Sequence, residues 1–208
     1  MAVELIDVSL LGGNLLKAFL PFLKNILPQQ KFSPKDIDPV LLPMHRCKGL
    51  IAFVSLGMGK TSAKEAIKFH AAGSDEKSLP KLKHVWLLYS PASANNAEEI
   101  RTYAATYPIS CDMIQLDLSN DVQNVKRIKD QIDKIAERAL QEGISHEDVA
   151  IDLTGGTVMV SLGFFLAGLI YGFNLQVLIP NKIDQDGRAI PDAGSSPFTL
   201  ALSNFGET

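Results

Sequence analysis

Five short apolar runs, Leu50–Val54, Val85–Tyr89, Met113–Leu118, Val149–Leu153 and Leu175–Ile179, recur between stretches of helical pattern from Gly49 onward. Short runs bounded by turn residues suit strands buried on both faces, the condition of a parallel sheet covered by helices. The helical stretches follow Thr61, run from near Asn95 toward Tyr107, run from Asp121 to about Gln141, and follow Thr157. The third carries Val122, Val125, Ile128, Ile132, Ile135 and Ala139 at helical steps, with Ser119 or Asn120 placed to cap it and Gly143 to end it. The fourth is apolar all round, with Phe164, Phe165, Leu166 and Leu169, and is either deeply buried or packed on a second subunit.

Strictly alternating strands and helices imply an α/β fold: a Rossmann-like, open, mainly parallel sheet with helices on both faces, preceded by an N-terminal hydrophobic helix. The chain divides into a leucine-rich segment (1–30), a linker (31–48) in which Pro34, Pro39 and Pro43 restrict the backbone, and an α/β domain (49–208). A turn is expected at Asp186-Gly187 and a last strand at Phe198–Leu202. Cys47 and Cys111 match no zinc spacing, and His45, His70, His84 and His146 form no metal set, so no metal is expected. A net charge of −3 argues against general DNA or long-RNA binding, which needs broad positive surface, but leaves room for a local anion site.

Ligands of open parallel sheets bind outside the carboxyl ends of the strands. The first run leads into Ser55-Leu56-Gly57-Met58-Gly59-Lys60-Thr61, where two glycines, a helix start and a lysine suit an oxygen anion. The alternative is a tight strand-to-helix turn with a solvated lysine. A Walker A loop would need glycine where Val54 stands. The dinucleotide fingerprint would need Gly or Ala at Ser62 and an acid near Tyr89-Ser90. The fourth run leads into Asp152-Leu153-Thr154-Gly155-Gly156-Thr157-Val158-Met159. Thr154 or Thr157 as a plain helix cap would need no Gly-Gly pair. Both glycines are therefore expected to serve close approach of a ligand, and Gly156→Val to abolish binding without disturbing the fold. Ser90 and Asn95, after the second run, are candidates for the same crevice, although Asn95 is equally placed for an ordinary helix cap.

Asp152-Leu153-Thr154-Gly155-Gly156-Thr157 resembles the D-x-T-G-G-T signature of CARF domains, the CRISPR-associated Rossmann-fold ligand sensors. The resemblance covers roughly residues 49–208, and the Ser55–Thr61 loop sits where that family has its first ligand-contacting turn. It implies a homodimer or higher homo-oligomer binding a cyclic oligoadenylate, cyclic tetra-adenylate foremost, as an antiviral messenger of type III CRISPR defence. A ring of repeated nucleotides is itself symmetric and presents the same groups to both subunits. Ligand contacts are then expected at Ser55, Gly57, Met58, Gly59, Lys60, Thr61, Ser90, Asn95, Thr154, Gly155, Gly156, Thr157 and Met159. Many CARF domains follow the motif with lysine; this chain has Val158, which argues against rapid cleavage of the ring. No catalytic residue and no cofactor are assigned. The rival readings are a soluble ring nuclease, cutting by in-line attack of a ribose 2′-hydroxyl, and a nucleotide-dependent enzyme with a degenerate phosphate loop.

CARF sensors usually deliver their signal to an effector, and any effector in this chain is expected in its leucine-rich N-terminus, within the first 48 residues. Leu5–Leu27, about 23 residues, is long enough to span a bilayer. Asp7, Asn14, Lys17 and Lys24 fall on one stripe of such a helix. Glu4 and Asp7 precede the first lysine, while Lys31, Lys35, Arg46 and Lys48 follow the segment. This asymmetry places the sensor domain in the cytoplasm and the helix in the inner membrane, spanning it or lying on its lipid surface. The layout is similar to that of CARF-type membrane effectors, with one N-terminal span and one sensor domain; ligand binding is then expected to signal to the helix, opening a pore or depolarising the membrane. The alternative is an amphipathic helix docked on its own domain or on a dimer partner, with the protein cytoplasmic.

Overall fold

The computed structural model describes residues 39–57, 59–72, 81–118, 123–185, 190 and 193–202. The N-terminal segment 1–30, the Asp186-Gly187 turn, Met58 and the Ser119 and Asn120 cap lie outside them. Among the described residues no helix is long and apolar enough to cross a membrane.

Seven strands form one sheet: β1 (Pro39–Pro43), β2 (Gly49–Val54), β3 (His84–Tyr89), β4 (Ser110–Gln115), β5 (Val149–Asp152), β6 (Asn174–Pro180) and β7 (Ser195–Leu202). Their spatial order is β1-β7-β6-β5-β2-β3-β4. The five strands expected from the apolar runs are mutually parallel, and β7 and β1 extend the sheet antiparallel. Every residue of β2 and β5 is buried, as both-face coverage requires.

The helices are α1 (Gly59–Ala71), α2 (Ala94–Ala104), α3 (Gln123–Gln141) and α4 (Val158–Tyr171). Period-two alternation divides each central strand between two cores. Ile51, Phe53, Trp86, Leu88 and Ile151 face the α3–α4 layer, with Ile128, Ile132, Phe164 and Phe165. Leu50, Ala52, Val54, Val85, Leu87 and Ala150 face the α1–α2 layer, with Ala63, Ile67, Ala97 and Ile100. The all-apolar α4 is buried within the chain itself: Val160–Phe165, Ala167 and Gly168 are covered, and only Val158 and Ile170 at its ends are widely exposed. It stops at Gly172, whose φ of 69° is the left-handed cap geometry that favours glycine.

At the two edges of the sheet the boundaries differ from the sequence expectation. Pro39–Pro43, inside the segment read as a linker, is a strand. Proline offers no N–H to a ladder, but β1 is an edge strand bonded only to β7, where that loss is tolerated. The third strand begins at Ser110, ahead of its apolar run, and ends at Gln115. As the opposite edge it accommodates the polar Ser110, Asp112 and Gln115, while Leu116 leaves the ladder with a last bond to Tyr89 O at 2.7 Å.

Helix α4 approaches α3 through Gly163, where an added Cβ would stand 2.8 Å from Ile128 Cγ2 and 3.0 Å from Ile128 Cβ. Gly163→Val is therefore expected to cost about 1–3 kcal/mol by overpacking, read as a lower urea midpoint with an unchanged slope.

Candidate functional site

Chain order reverses between β2 and β5: the chain leaves β2 toward β3 and β4, then returns to β5 on its other side. Where neighbouring strands send their connections to opposite faces, a crevice opens at their carboxyl ends. The two turns singled out in the sequence leave β2 and β5, and so flank that crevice.

The β5 turn lies against the end of β2. A Cβ at Gly155 would fall 2.4 Å from Phe53 O and 3.3 Å from Ser62 Oγ of α1, so only glycine fits. A Cβ at Gly156 would fall 2.8 Å from Val160 Cγ1. This corrects the expectation that the pair serves ligand approach alone and that Gly156→Val leaves the fold intact: backbone packing on β2 and on the first turn of α4 already demands both glycines. Gly57 is different. Among the described residues a Cβ there meets nothing within 4 Å, and its backbone is not left-handed. Its missing side chain leaves open space at the mouth of the crevice.

Thr157 is the N-cap residue of α4, with φ −70° and ψ 164°, but its side chain makes no capping hydrogen bond. The exposed Thr157 hydroxyl is therefore not spent on the cap, and the first-turn N–H groups of α4 lack intrahelical partners. None of α1, α2 and α4 has an acidic residue in its first turn, so no carboxylate competes with an anion there. Thr154 is engaged structurally: its Oγ1 accepts the Leu178 N–H at 2.9 Å, and its own N–H donates to Asp152 Oδ1 at 3.1 Å.

The remaining expected residues divide. Gly59 and Lys60 begin α1, ahead of the start after Thr61 that the sequence suggested, which places their N–H groups among its unpaired first-turn donors. Ser55 follows β2 directly, and Asn96 rather than Asn95 holds it: Asn96 Nδ2 donates to Ser55 O at 3.0 Å and to Leu56 O at 3.3 Å. Asn95 is exposed in the first turn of α2, whose cap position is Ser93. Ser90 is bound into a capping box with Ser93, its N–H donating to Ser93 Oγ at 3.1 Å. Met159 is half-buried in the first turn of α4. Thr61 lines an open groove of about 520 Å³ beside the crevice, with Glu65, Lys68, Asn181, Gly194 and Ser195. Asn96 carried no separate signal in the sequence, since adjacent asparagines do not reveal which one faces the turn.

Beneath the β5 turn sits a fully buried carboxyl. Burial pushes Asp152 up to about 6, against the opposing hydrogen bonds of Thr154 and the nearby Gln176 amide. Burial likewise lowers His70 to about 4, so that it stays neutral at physiological pH.

No family model and no curated protein matches the chain. Among solved structures, a type III CRISPR defence DNA nuclease activated by cyclic oligoadenylate is similar at 20% identity and a TM-score of 0.48, over 81% of this chain and 24% of that one. Can2 from Sulfobacillus thermosulfidooxidans, in complex with cyclic tetra-adenylate, is similar at 15% identity and a TM-score of 0.46, over 72% of this chain and 36% of that one. Csm6 from Enterococcus italicus, bound to cyclic hexa-2′-fluoro-hexa-dAMP, is similar at 10% identity and a TM-score of 0.46, over 66% of this chain and 35% of that one. The chain thus spans from 24% to 36% of the length of these structures.

Asp152 generates a pH prediction. Its folded form holds a proton better than the unfolded chain, whose carboxyl titrates near 3.8. Its contribution to stability is therefore full below that value and is lost as pH rises through about 6. The difference is worth about 3 kcal/mol. Carboxyl carbon NMR is expected to show this one aspartate titrating near 6, and Asp152→Asn to remove the matching segment of the stability–pH curve.

Proposed function

We propose that the crevice between the β2 and β5 turns binds a cyclic oligoadenylate, and that the protein is a sensor in type III CRISPR antiviral defence. The observation that carries this reading is the β5 turn: a D-x-T-G-G-T sequence whose Thr157 hydroxyl is left uncapped beside an acid-free helix N-terminus, at the switch point of the sheet. Such a turn offers hydroxyl and N–H donors to a phosphate. Gly57, with open space where a side chain would be, lets the ligand backbone come close from the other wall. The symmetry of the ring favours a homo-oligomer with one copy of the crevice from each subunit. Cyclic tetra-adenylate is the first ligand to try.

The protein acts by binding rather than by turnover in this reading. Val158, which follows the motif where many CARF domains have lysine, is 57% exposed, so an apolar side chain stands where a cation would stabilise the charge of a cleaving ring. Titration calorimetry is expected to show tight binding of cyclic tetra-adenylate and weak binding of ATP and NAD. Gly57→Val and Thr157→Val should each weaken binding by about tenfold or more while keeping the unfolding midpoint, since neither position packs the core. The recovered ring should be mostly intact after incubation with excess protein. Tight ATP or NAD binding with no response to any cyclic oligoadenylate would overturn the reading, and rapid multiple turnover would replace it with a ring nuclease.

The N-terminal segment is the proposed effector. Leu5–Leu27, with its polar stripe and trailing cations, enters the inner membrane and leaves the sensor domain in the cytoplasm. Full-length protein is then expected in the membrane fraction, released only by detergent, and a chain lacking residues 1–30 in the soluble fraction with its ligand affinity intact. Untagged full-length protein recovered from the cytosolic fraction without detergent would defeat the membrane assignment and leave the sensor reading untouched.

A further inference from the structure

Below the crevice, buried polar groups line up in two hydrogen-bonded segments, Cys47–His70–Gln176 and Asp152–Thr154, that meet across one register pair. The Cys47 N–H donates to His70 Nδ1 at 3.0 Å. With Nδ1 accepting, the His70 proton sits on Nε2, which donates to Gln176 Oε1 at 2.7 Å. That fixes the Gln176 amide, whose Nε2 is directed away from the histidine. Gln176 is the parallel-register partner of Asp152, and both side chains share the α1 face of the sheet. Asp152 Oδ2 and Gln176 Nε2 are both buried and make no hydrogen bond of normal length. The amide nonetheless lies near enough to favour the ionised carboxylate. Asp152 Oδ1 accepts the Thr154 N–H. His70 and Gln176 are completely covered, and Asp152 is 1% exposed.

We propose that this buried chain from Cys47 through His70 and Gln176 to Asp152 fixes the Thr154–Thr157 turn in its ligand-accepting geometry, making His70 and Gln176 positioning residues of a site that neither touches. The chain has a single polarity. Its donors all point from Cys47 toward Asp152, and the Thr154 N–H meets them from the far side. A reversed amide at Gln176 would turn its NH₂ onto the His70 Nε2–H. Moving that proton to Nδ1 would then oppose the Cys47 N–H. A mismatch can thus be passed along the chain but not removed, because both ends are backbone N–H groups that cannot become acceptors. An apolar residue at any one of the three side chains would orphan a buried neighbour, whereas the polar set defines one orientation for Asp152 and through it one for the turn. The inference rests on the ligand reading above for what the turn is held ready to bind, but not for the chain itself.

The test is a polarity exchange. Asp152→Asn keeps an acceptor for the Thr154 N–H but turns an NH₂ onto the Gln176 NH₂, setting donor against donor. Gln176→Glu alone places a second carboxylate beside Asp152. The double variant Asp152→Asn/Gln176→Glu restores one donor and one acceptor at every contact, with the charge moved across the register. Two readouts apply: amide hydrogen exchange at Thr154 in the free protein, with the β3 amides as a control for global unfolding, and the affinity for cyclic tetra-adenylate. Each single variant is expected to speed exchange at Thr154 while β3 stays protected, and to weaken binding about tenfold; the double variant is expected to return both to within about threefold of the parent. Additive losses in the double variant would overturn the proposal. So would faster exchange with unchanged affinity, because the turn would then be held for the fold alone. Parent protein that binds no cyclic oligoadenylate would defeat the ligand reading, while loss and rescue of Thr154 protection would still establish that the chain positions the turn.

Discussion

The parallel pairing of β2 with β5 is the constraint on which the site depends. These two strands are joined in register from Gly49 with Val149 to Ile51 with Ile151. Both are buried along their whole length, so neither can slip without turning one set of apolar side chains into the other layer. Their carboxyl ends are therefore fixed relative to each other, and the turns that leave them inherit that placement. Gly155 makes the dependence explicit, because its backbone rests on the Phe53 carbonyl at the end of β2. The crevice is built from the sheet outward, with rigid strands setting the loops.

That order explains what was legible in the sequence. The buried central strands were readable because coverage on both faces demands uninterrupted apolar runs, and the layers of helices followed from the alternation. The edges were less so. In β4 only the end residues Ser110 and Gln115 are exposed and polar Asp112 sits half-buried among apolar residues, while β1 is short, half-exposed and bounded by prolines, so that its composition pointed to a linker. Pairing with β7, some 160 residues away, is what makes Pro39–Pro43 a strand, and no local pattern reports such a partner. Within the site, the turn sequences were visible but the reasons for their glycines were not. Gly155 and Gly156 answer to neighbours that only the folded chain brings near, whereas Gly57 answers to none of the described residues.

The packing role of Gly155 and Gly156 does not weaken the anion reading; it relocates it. The turn is pressed against β2, and its Thr154 N–H is consumed by Asp152. The donors that remain are those beyond the glycines: the Thr157 hydroxyl and the unpaired N–H groups at the start of α4, with those of α1 facing them from the β2 turn. These are directed along helix axes toward the crevice, the arrangement in which helix ends favour negative charge by about 0.3–1 kcal/mol each, and more where partly buried. Asn96 contributes by occupying the carbonyls of Ser55 and Leu56, which would otherwise present partial negative charge at the same rim.

A buried carboxylate under an anion site looks contradictory, since like charges repel more strongly where water is excluded. The geometry resolves it. Asp152 Oδ1 accepts the Thr154 N–H, and the buried Oδ2 lies near the Gln176 amide without a hydrogen bond of normal length, so the carboxylate is turned to groups within the domain rather than to the crevice. Burial raises its proton affinity to about 6, so the charge is held at neutral pH only with the help of those donors. The histidine at the far end of the chain is neutral for the same reason, burial without a countercharge, and so neither repels nor attracts the ligand. An apolar residue at position 152 would remove the repulsion but also the acceptor that curls Thr154 back over the strand end. Orientation of the turn is therefore obtained at a modest electrostatic cost, which the amide at Gln176 and the N–H at Thr154 keep small.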